Sequence, residues 1–212
     1  MTQNQFLPSN EITYEHVTDE IVATYREQGF ALVFAEEVMR YDLSLEVPSV
    51  APLPRVSYLT WNTQSIPAFF IVYQAVFRER PGFPGWSEEE WIRWVADDPS
   101  FRPDMSFLAV VQEQAVGFVT NAEDEAASGR NGYMIQVGVH PQWRGQRVGA
   151  ALVAHSLHAW QQEEKEAVLL HVNINNPEAI LLYLQLGFEL VGRRGKFRRQ
   201  SEEDMHSIKN ET

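Results

Sequence analysis

The parts of this chain that could do chemistry are a run of free backbone amides, a tyrosine phenol and a cluster of aromatic side chains. The amides belong to Arg144-Gly145-Gln146-Arg147-Val148-Gly149-Ala150, which follows a strand-like run, Tyr133–Val139, and precedes a helix-like one. A strand that breaks at His140-Pro141 and turns through glycines into a helix leaves N–H groups unpaired at the positive end of the helix dipole. Such a turn holds phosphate oxygens. A plain strand-to-helix connection uses the same glycines, so the turn needs a second signal. That signal is Asn176-Pro177-Glu178-Ala179-Ile180-Leu181-Leu182-Tyr183-Leu184-Gln185-Leu186-Gly187-Phe188. Its phenol, Tyr183, has an ordinary pKa near ~10, stays protonated at neutral pH and can donate to a departing anion.

Together the two segments resemble the acetyl-CoA signature of the GNAT superfamily of N-acetyltransferases, in order and spacing, from about Val56 to Arg199. The resemblance implies an α/β (α+β) acyl-CoA N-acyltransferase fold, a mixed, mostly antiparallel sheet with helices on both faces. It implies acetyl-CoA as cosubstrate, with Arg144, Gly145, Gln146, Arg147, Val148, Gly149 and Ala150 around the pyrophosphate. The backbone of Val137, Gly138 and Val139 would bind the pantetheine arm and supply one N–H to the carbonyl. Their strand would splay from Val168–Val172. Tyr183 would face the sulfur as catalytic acid, and Asn176, which caps its helix, could add a contact to CoA. The turn departs from the family pattern at Arg147, where a glycine is usual. A residue with a Cβ avoids positive φ, so a right-handed, helix-start backbone is expected there. Gly138 fits close approach or a bulge, or simple relief of crowding in a buried strand.

Acetyl transfer also needs a neutral amine. Gln136 stands where many family members have an acid and cannot take a proton; a water relay, His140 or Glu79 are the candidates. His155 and His158 share a helix with no third ligand in sight, so no metal is expected. Phe70, Tyr73, Phe77 and the Phe83–Trp86 loop line an acceptor pocket or, equally, fill the core. The reading is direct transfer of acetyl to a small-molecule primary amine. Its rivals are a non-catalytic acyl-CoA-binding module and a transferase for another acyl group.

These residues need a scaffold. Strands are expected at Val56–Trp61, Ser106–Val111, Ala115–Asn121, Tyr133–His140 and Val168–Val172. Two more, near Phe188–Val191 and Lys196–Gln200, form a solvated hairpin around Gly195. Helices are expected after Ser65 and Pro67, after a capping box at Ser87 and Glu90, from Gly145 to about Glu164, and from Pro177 to Gly187. Residues 123–131 read as an exposed loop.

The chain of 212 residues is 44% hydrophobic, which fits a buried core, and contains no cysteine, which excludes disulfides and thiolate chemistry. No run approaches the ~20 apolar residues of a membrane helix, and the N-terminus does not read as a signal peptide, so a cytoplasmic protein is expected. Net charge of −12 disfavours nucleic acid. The basic run Arg193–Arg199 is read as a solvated face rather than a phosphate site. Tyr25-Arg26-Glu27-Gln28-Gly29-Phe30 repeats the pattern of Tyr183–Phe188 at a spacing of 158 residues. On that basis 1–45 resembles the end of a first GNAT half, as in tandem proteins of the mycothiol synthase type, followed by a linker at 46–55, the GNAT domain at 56–200 and a polar tail at 201–212. Tyr25–Leu43 is then a docked helix and strand, set against its own sheet or against a second subunit in a homodimer.

Overall fold

The computed structural model describes residues 10–51, 55–78, 80, 82–124 and 129–200. Glu79 and the tail at 201–212, both part of the sequence reading, lie outside the described residues. In chain order the elements are β1 Glu11–Tyr14, α1 Asp19–Glu27, β2 Phe30–Asp42, β3 Val56–Thr60, α2 Ile66–Phe77 and α3 Glu88–Ala96. They continue with β4 Phe107–Val111, β5 Gln114–Glu123, β6 Asn131–Val139, α4 Val148–Gln162, β7 Ala167–Asn173, α5 Pro177–Gln185 and β8 Glu189–Arg199. The eight strands form a mixed sheet, and the chain divides into two compact units.

The larger unit comprises Arg40–Leu170 and Leu181–Glu189. Its strands run β7-β6-β5-β4-β3, with β6 and β7 parallel and the rest antiparallel. Alternation along β5 sends neighbouring residues to opposite faces. Phe118 meets Phe69, Phe77 and Trp91 of α2 and α3. A Cβ on Gly117 would instead come within 2.8 Å of Leu152 on α4. Helices therefore cover both faces. On the α4 side, a Cβ on Gly132 would stand 2.5 Å from the Trp160 ring, so only glycine lets that indole lie flat on the sheet. The Trp160 N–H donates to Asn121 Oδ1, and Asn121 Nδ2 donates to Ser156 Oγ and the Met105 carbonyl; this fully buried amide is satisfied, as burial requires. α3 begins with the expected capping box between Ser87 and Glu90.

The smaller unit comprises Met1–Met39, His171–Ile180 and Leu190–Thr212. Its strand order is β1-β8-β2, over a small apolar cluster of Val17, Phe30 and Phe197. Here the structure corrects the sequence reading: Glu189–Arg199 is one strand of 11 residues, β8, with no hairpin at Gly195. Gly195 serves packing instead, since a Cβ would stand 2.7 Å from Leu32 and 3.1 Å from the Phe34 carbonyl. Nor is the basic run simply solvated. Arg193 pairs with Glu37, Arg194 with Glu36, and Lys196 and Arg198 with Glu11. Alternating charge across strands can only be satisfied by partners from remote parts of the chain, which local sequence does not display.

Candidate active site

The parallel register of β6 with β7 runs from Asn131↔Ala167 to Met134↔Leu170. On its other side β6 keeps pairing with β5 as far as Val139↔Gly117, but between Thr120 and Asn121 two steps on β6 oppose one on β5. Ile135 is the extra residue. A bulge bends its strand and raises local twist, and this one begins just where the pairing with β7 stops. The outer edge of Val137, Gly138 and Val139 has no strand partner among the described residues. The expected bulge thus exists, but at Ile135. Gly138 is crowded: a Cβ there would meet the Phe118 ring at 2.9 Å and Val76 at 3.2 Å.

β6 ends in a 3-10 turn, Pro141–Trp143, capped by His140, whose Nδ1 accepts from the Gln142 N–H at 3.3 Å. Two left-handed residues then bring the chain into α4, Gly145 at φ 72° and Arg147 at φ 65°. The right-handed backbone expected at Arg147 is therefore wrong, and α4 starts at Val148 rather than Gly145. The turn needs a left-handed residue before the helix, and Arg147 adopts it at a cost of ~1–2 kcal/mol relative to glycine. The result is an uncapped terminus. Arg147 makes no side-chain cap and the first turn of α4 has no acid. Among the described residues no acceptor is found for the N–H groups of Gly145, Gln146, Arg147, Val148, Gly149 or Ala150. Six amides gathered at a helix N-terminus fit a phosphate-bearing ligand by the chemistry of their donors. Gly149 lies close to the strand and to α5; a Cβ would stand 3.3 Å from Leu182 and 3.4 Å from Val139.

Asn176 caps α5, its Oδ1 accepting from the Ala179 N–H at 3.3 Å. Tyr183 is 7% exposed and its ring lies 5.6 Å from that of Phe188. Burial pushes its phenol up to about 12, against a smaller opposing pull from the Arg80 cation. Its hydroxyl has no hydrogen-bond partner among the described residues, nor is it one of their fully buried unpartnered atoms.

A pocket of about 210 Å³ opens beside Gln136. Tyr73, Phe77, Phe83, Trp86 and Trp94 form its walls, and Arg80 and Gln136 supply its polar groups. The aromatic loop expected at Phe83–Trp86 is a pocket wall, whereas Phe70 belongs to the core with Trp61, Phe69 and Trp91. The Trp91 N–H donates to Gln136 Oε1 at 3.2 Å and fixes the amide. Arg80 and Trp94, the latter 48% exposed, also line the pocket, and neither was named for it by the sequence reading. His155 stacks on Tyr58 at 3.9 Å and meets the Phe107 edge, so it is a packing residue whose pKa burial lowers. Among the described residues no group of three metal-ligating side chains comes together, and no helix is long and apolar enough to cross a membrane.

Comparison with known proteins agrees with this geometry. Residues 67–188 match the family described as acetyltransferase (GNAT). A mycothiol acetyltransferase of Thermobispora bispora is 31% identical over 166 residues, which are 76% of this chain and 56% of that protein. The N-alpha-acetyltransferase 30 of Homo sapiens is 32% identical over 87 residues, 41% of this chain and 24% of that protein. The chain thus spans little more than half the length of the first of these relatives. In fold, a GCN5-related N-acetyltransferase from Sphaerobacter thermophilus superimposes with a TM-score of 0.72 at 21% identity, covering 89% of this chain and 59% of that one. The match takes in α2, the free edge of β6, the uncapped turn and the helix of Tyr183, and on it the chain belongs to the GNAT acetyltransferase family.

Proposed function

We propose that the chain transfers the acetyl group of acetyl-CoA to the primary amine of a small molecule. The observation that carries this reading is the set of six amides without acceptors at the start of α4, continuous with the free edge of β6. The turn residues Arg144–Ala150 would hold the pyrophosphate, and the backbone of Val137–Val139 the arm. When bound, acetyl-CoA supplies an activated thioester.

The remaining work falls to the chain. Tyr183 keeps its proton at neutral pH and offers it to the sulfur. A phenol near 12 is a weaker acid than a thiol near ~8.5, so full transfer to a thiolate would be uphill by about 5 kcal/mol. Tyr183 therefore acts as a hydrogen-bond donor that stabilises developing charge on sulfur, and the sulfur takes its final proton from water or the amine. Gln136 orients the acceptor without accepting its proton. Because Gln136 is no base, the amine would lose its proton to a water relay, to His140 or to Glu79. A second reading, a non-catalytic acyl-CoA-binding module, draws support from Gln136, and turnover across a panel of amines separates the two. We further propose that α1 and β2 are a partial copy of α5 and β8.

The cofactor site is tested by Gly145→Glu against Gly145→Ala. Both must take the left-handed backbone at φ 72°, and neither Cβ meets an atom within 4 Å. Only glutamate brings charge into the anion site, where repulsion should weaken acetyl-CoA binding by ~1–3 kcal/mol more than alanine does. Equal affinity of the two variants by calorimetry removes the turn from the site.

A further inference from the structure

The acceptor pocket differs in charge from the chain that builds it. There are 29 acidic residues against 17 basic ones, yet among the described residues no carboxylate lines the pocket, and a guanidinium does. That guanidinium is Arg80, placed by its surroundings. Its N–H donates to the Phe77 carbonyl at 2.9 Å, its carbonyl accepts from Phe83 at 3.1 Å, and its Cζ lies 4.4 Å over the Phe77 ring. Unlike Arg193, Arg194 and Arg198, it has no carboxylate partner among the described residues. Its pKa is lowered, above all by desolvation; the Tyr183 phenol opposes that shift and the Arg144 cation adds to it. The residue is nonetheless exposed, and among the described residues it reaches the pocket with no carboxylate beside it.

An aromatic box alone would attract any ammonium ion through its ring faces. A guanidinium in the same box repels a simple cation and offers a planar fork of donors that fits a carboxylate. We propose that the pocket selects amines that also carry a carboxylate on an apolar body, with Arg80 taking the carboxylate and the aromatic walls the body. The amine half of this statement rests on the acetyltransferase reading; the carboxylate half rests on the pocket. Arg80 would thereby set the acceptor class, and Gln136 would face the amine end.

The experiment uses matched pairs, each an amino acid and its decarboxylated amine: phenylalanine with phenethylamine, and leucine with isoamylamine. At saturating acetyl-CoA the wild type should acetylate the carboxylated member with a kcat/KM at least ~10-fold higher, the range a charge-assisted contact provides. Arg80→Met keeps an apolar chain over Phe77 and should bring each ratio near one by raising the KM of the amino acid, with the KM of acetyl-CoA unchanged. Equal rates within the wild-type pairs, or a variant that loses acetyl-CoA affinity while keeping the ratios, overturns the proposal. Should no amine be acetylated, the transferase reading fails and the pocket is judged by binding alone. Quenching of Trp86 and Trp94 fluorescence in the CoA-loaded protein by phenylalanine at ~10-fold lower concentration than by phenethylamine then upholds the carboxylate site. Equal, reversed or absent quenching sinks it. The wild-type ratios decide the matter even where Arg80→Met fails to fold.

Discussion

α1 with β2 and α5 with β8 are two solutions of the same local problem, and they differ where chemistry is at stake. Each helix has nine residues. Each is capped three residues ahead, by Thr18 Oγ1 from the Ile21 N–H and by Asn176 Oδ1 from the Ala179 N–H, both at 3.3 Å. Each ends at a left-handed glycine, Gly29 at φ 80° and Gly187 at φ 90°, followed by a buried phenylalanine that starts a long strand (Phe30) or directly precedes one (Phe188). The tyrosine-to-phenylalanine centroid distances are 5.8 Å for Tyr25–Phe30 and 5.6 Å for Tyr183–Phe188. The tyrosines then part company. Tyr25 stacks on Phe197 at 4.6 Å and meets Tyr14 edge-on, so its ring is held by aromatics on several sides. Neither hydroxyl has a hydrogen-bond partner among the described residues, but Tyr183 is buried, at 7% exposure, and its phenol is pushed up to about 12. One backbone pattern thus holds a half-buried tyrosine among aromatics in one place and a buried one in the other.

Removing each hydroxyl should break the comparison most sharply. Tyr183→Phe should lower turnover by ~10²-fold with little change in acetyl-CoA affinity, while Tyr25→Phe should leave turnover within a factor of two. Steady-state kinetics on both variants decides it, and equal effects would assign both tyrosines to packing. The same variant has an alkaline signature. A phenol raised from about 10 to about 12 on folding leaves stability whole below pH ~10 and erodes it as pH climbs toward ~12, where the unfolded chain ionises first. The loss from this group approaches ~3 kcal/mol, so Tyr183→Phe should be the more resistant protein in urea titrations at pH 11–12, and no such gap should appear at pH 7.

The glycines come next. Alanine at either must take a left-handed backbone, at ~1–2 kcal/mol. At Gly29 a Cβ meets nothing within 4 Å, whereas at Gly187 it would stand 3.3 Å from the ring of Tyr41, which is 1% exposed and held through its hydroxyl to the Glu46 carbonyl. Gly187→Ala should therefore cost about 1 kcal/mol more than Gly29→Ala in denaturant unfolding. Equal costs would mean that Tyr41 yields.

How far the sequence was legible follows from what each feature depends on. Caps, the capping box at Ser87, the glycine at the end of α5 and the order of the larger unit's elements rest on local backbone chemistry, and they read correctly. The continuous strand through Gly195 did not, because that glycine answers to Leu32 and Phe34, far away in the chain. The partners of Arg193 and Arg194 were hidden for the same reason. Gln136 and the aromatic loop, singled out in the sequence, line one pocket, but Arg80 beside them has no local pattern to mark it. Arg147 was misread because a rule about side chains and positive φ was allowed to outrank the turn. The turn prevails, so Arg147→Gly should raise stability by about 1 kcal/mol, visible as a higher melting temperature.

The smallest effect tests the place where β2 meets β8. Arg194 places Nε and an Nη nitrogen on Glu36 Oε2, at 2.7 Å each, across a sequence separation of 158 residues. That is also the spacing between Tyr25 and Tyr183, so under the proposed copy relation Glu36 faces its own counterpart. Arg193 on Glu37, and the Gln200 N–H on the Gly29 carbonyl, show β2 and β8 running antiparallel about this point. Antiparallel copies meet around a local two-fold axis, where two identical residues would face each other. Identical charged residues there would repel, and the two positions here carry opposite charges, Glu36 and Arg194. Arg194→Glu makes them alike. With side chains 35% and 16% exposed, the lost pair and the new repulsion together should cost about 1 kcal/mol at low ionic strength. Salt near 0.5 M should remove much of that cost by screening, whereas Arg194→Gln should lose less and respond less to salt. Thermal melts at two ionic strengths read the difference. An Arg194→Glu protein that melts with the wild type at low salt would show that charge at the axis does not hold β2 to β8, leaving the apolar cluster of Val17, Phe30 and Phe197 to do so.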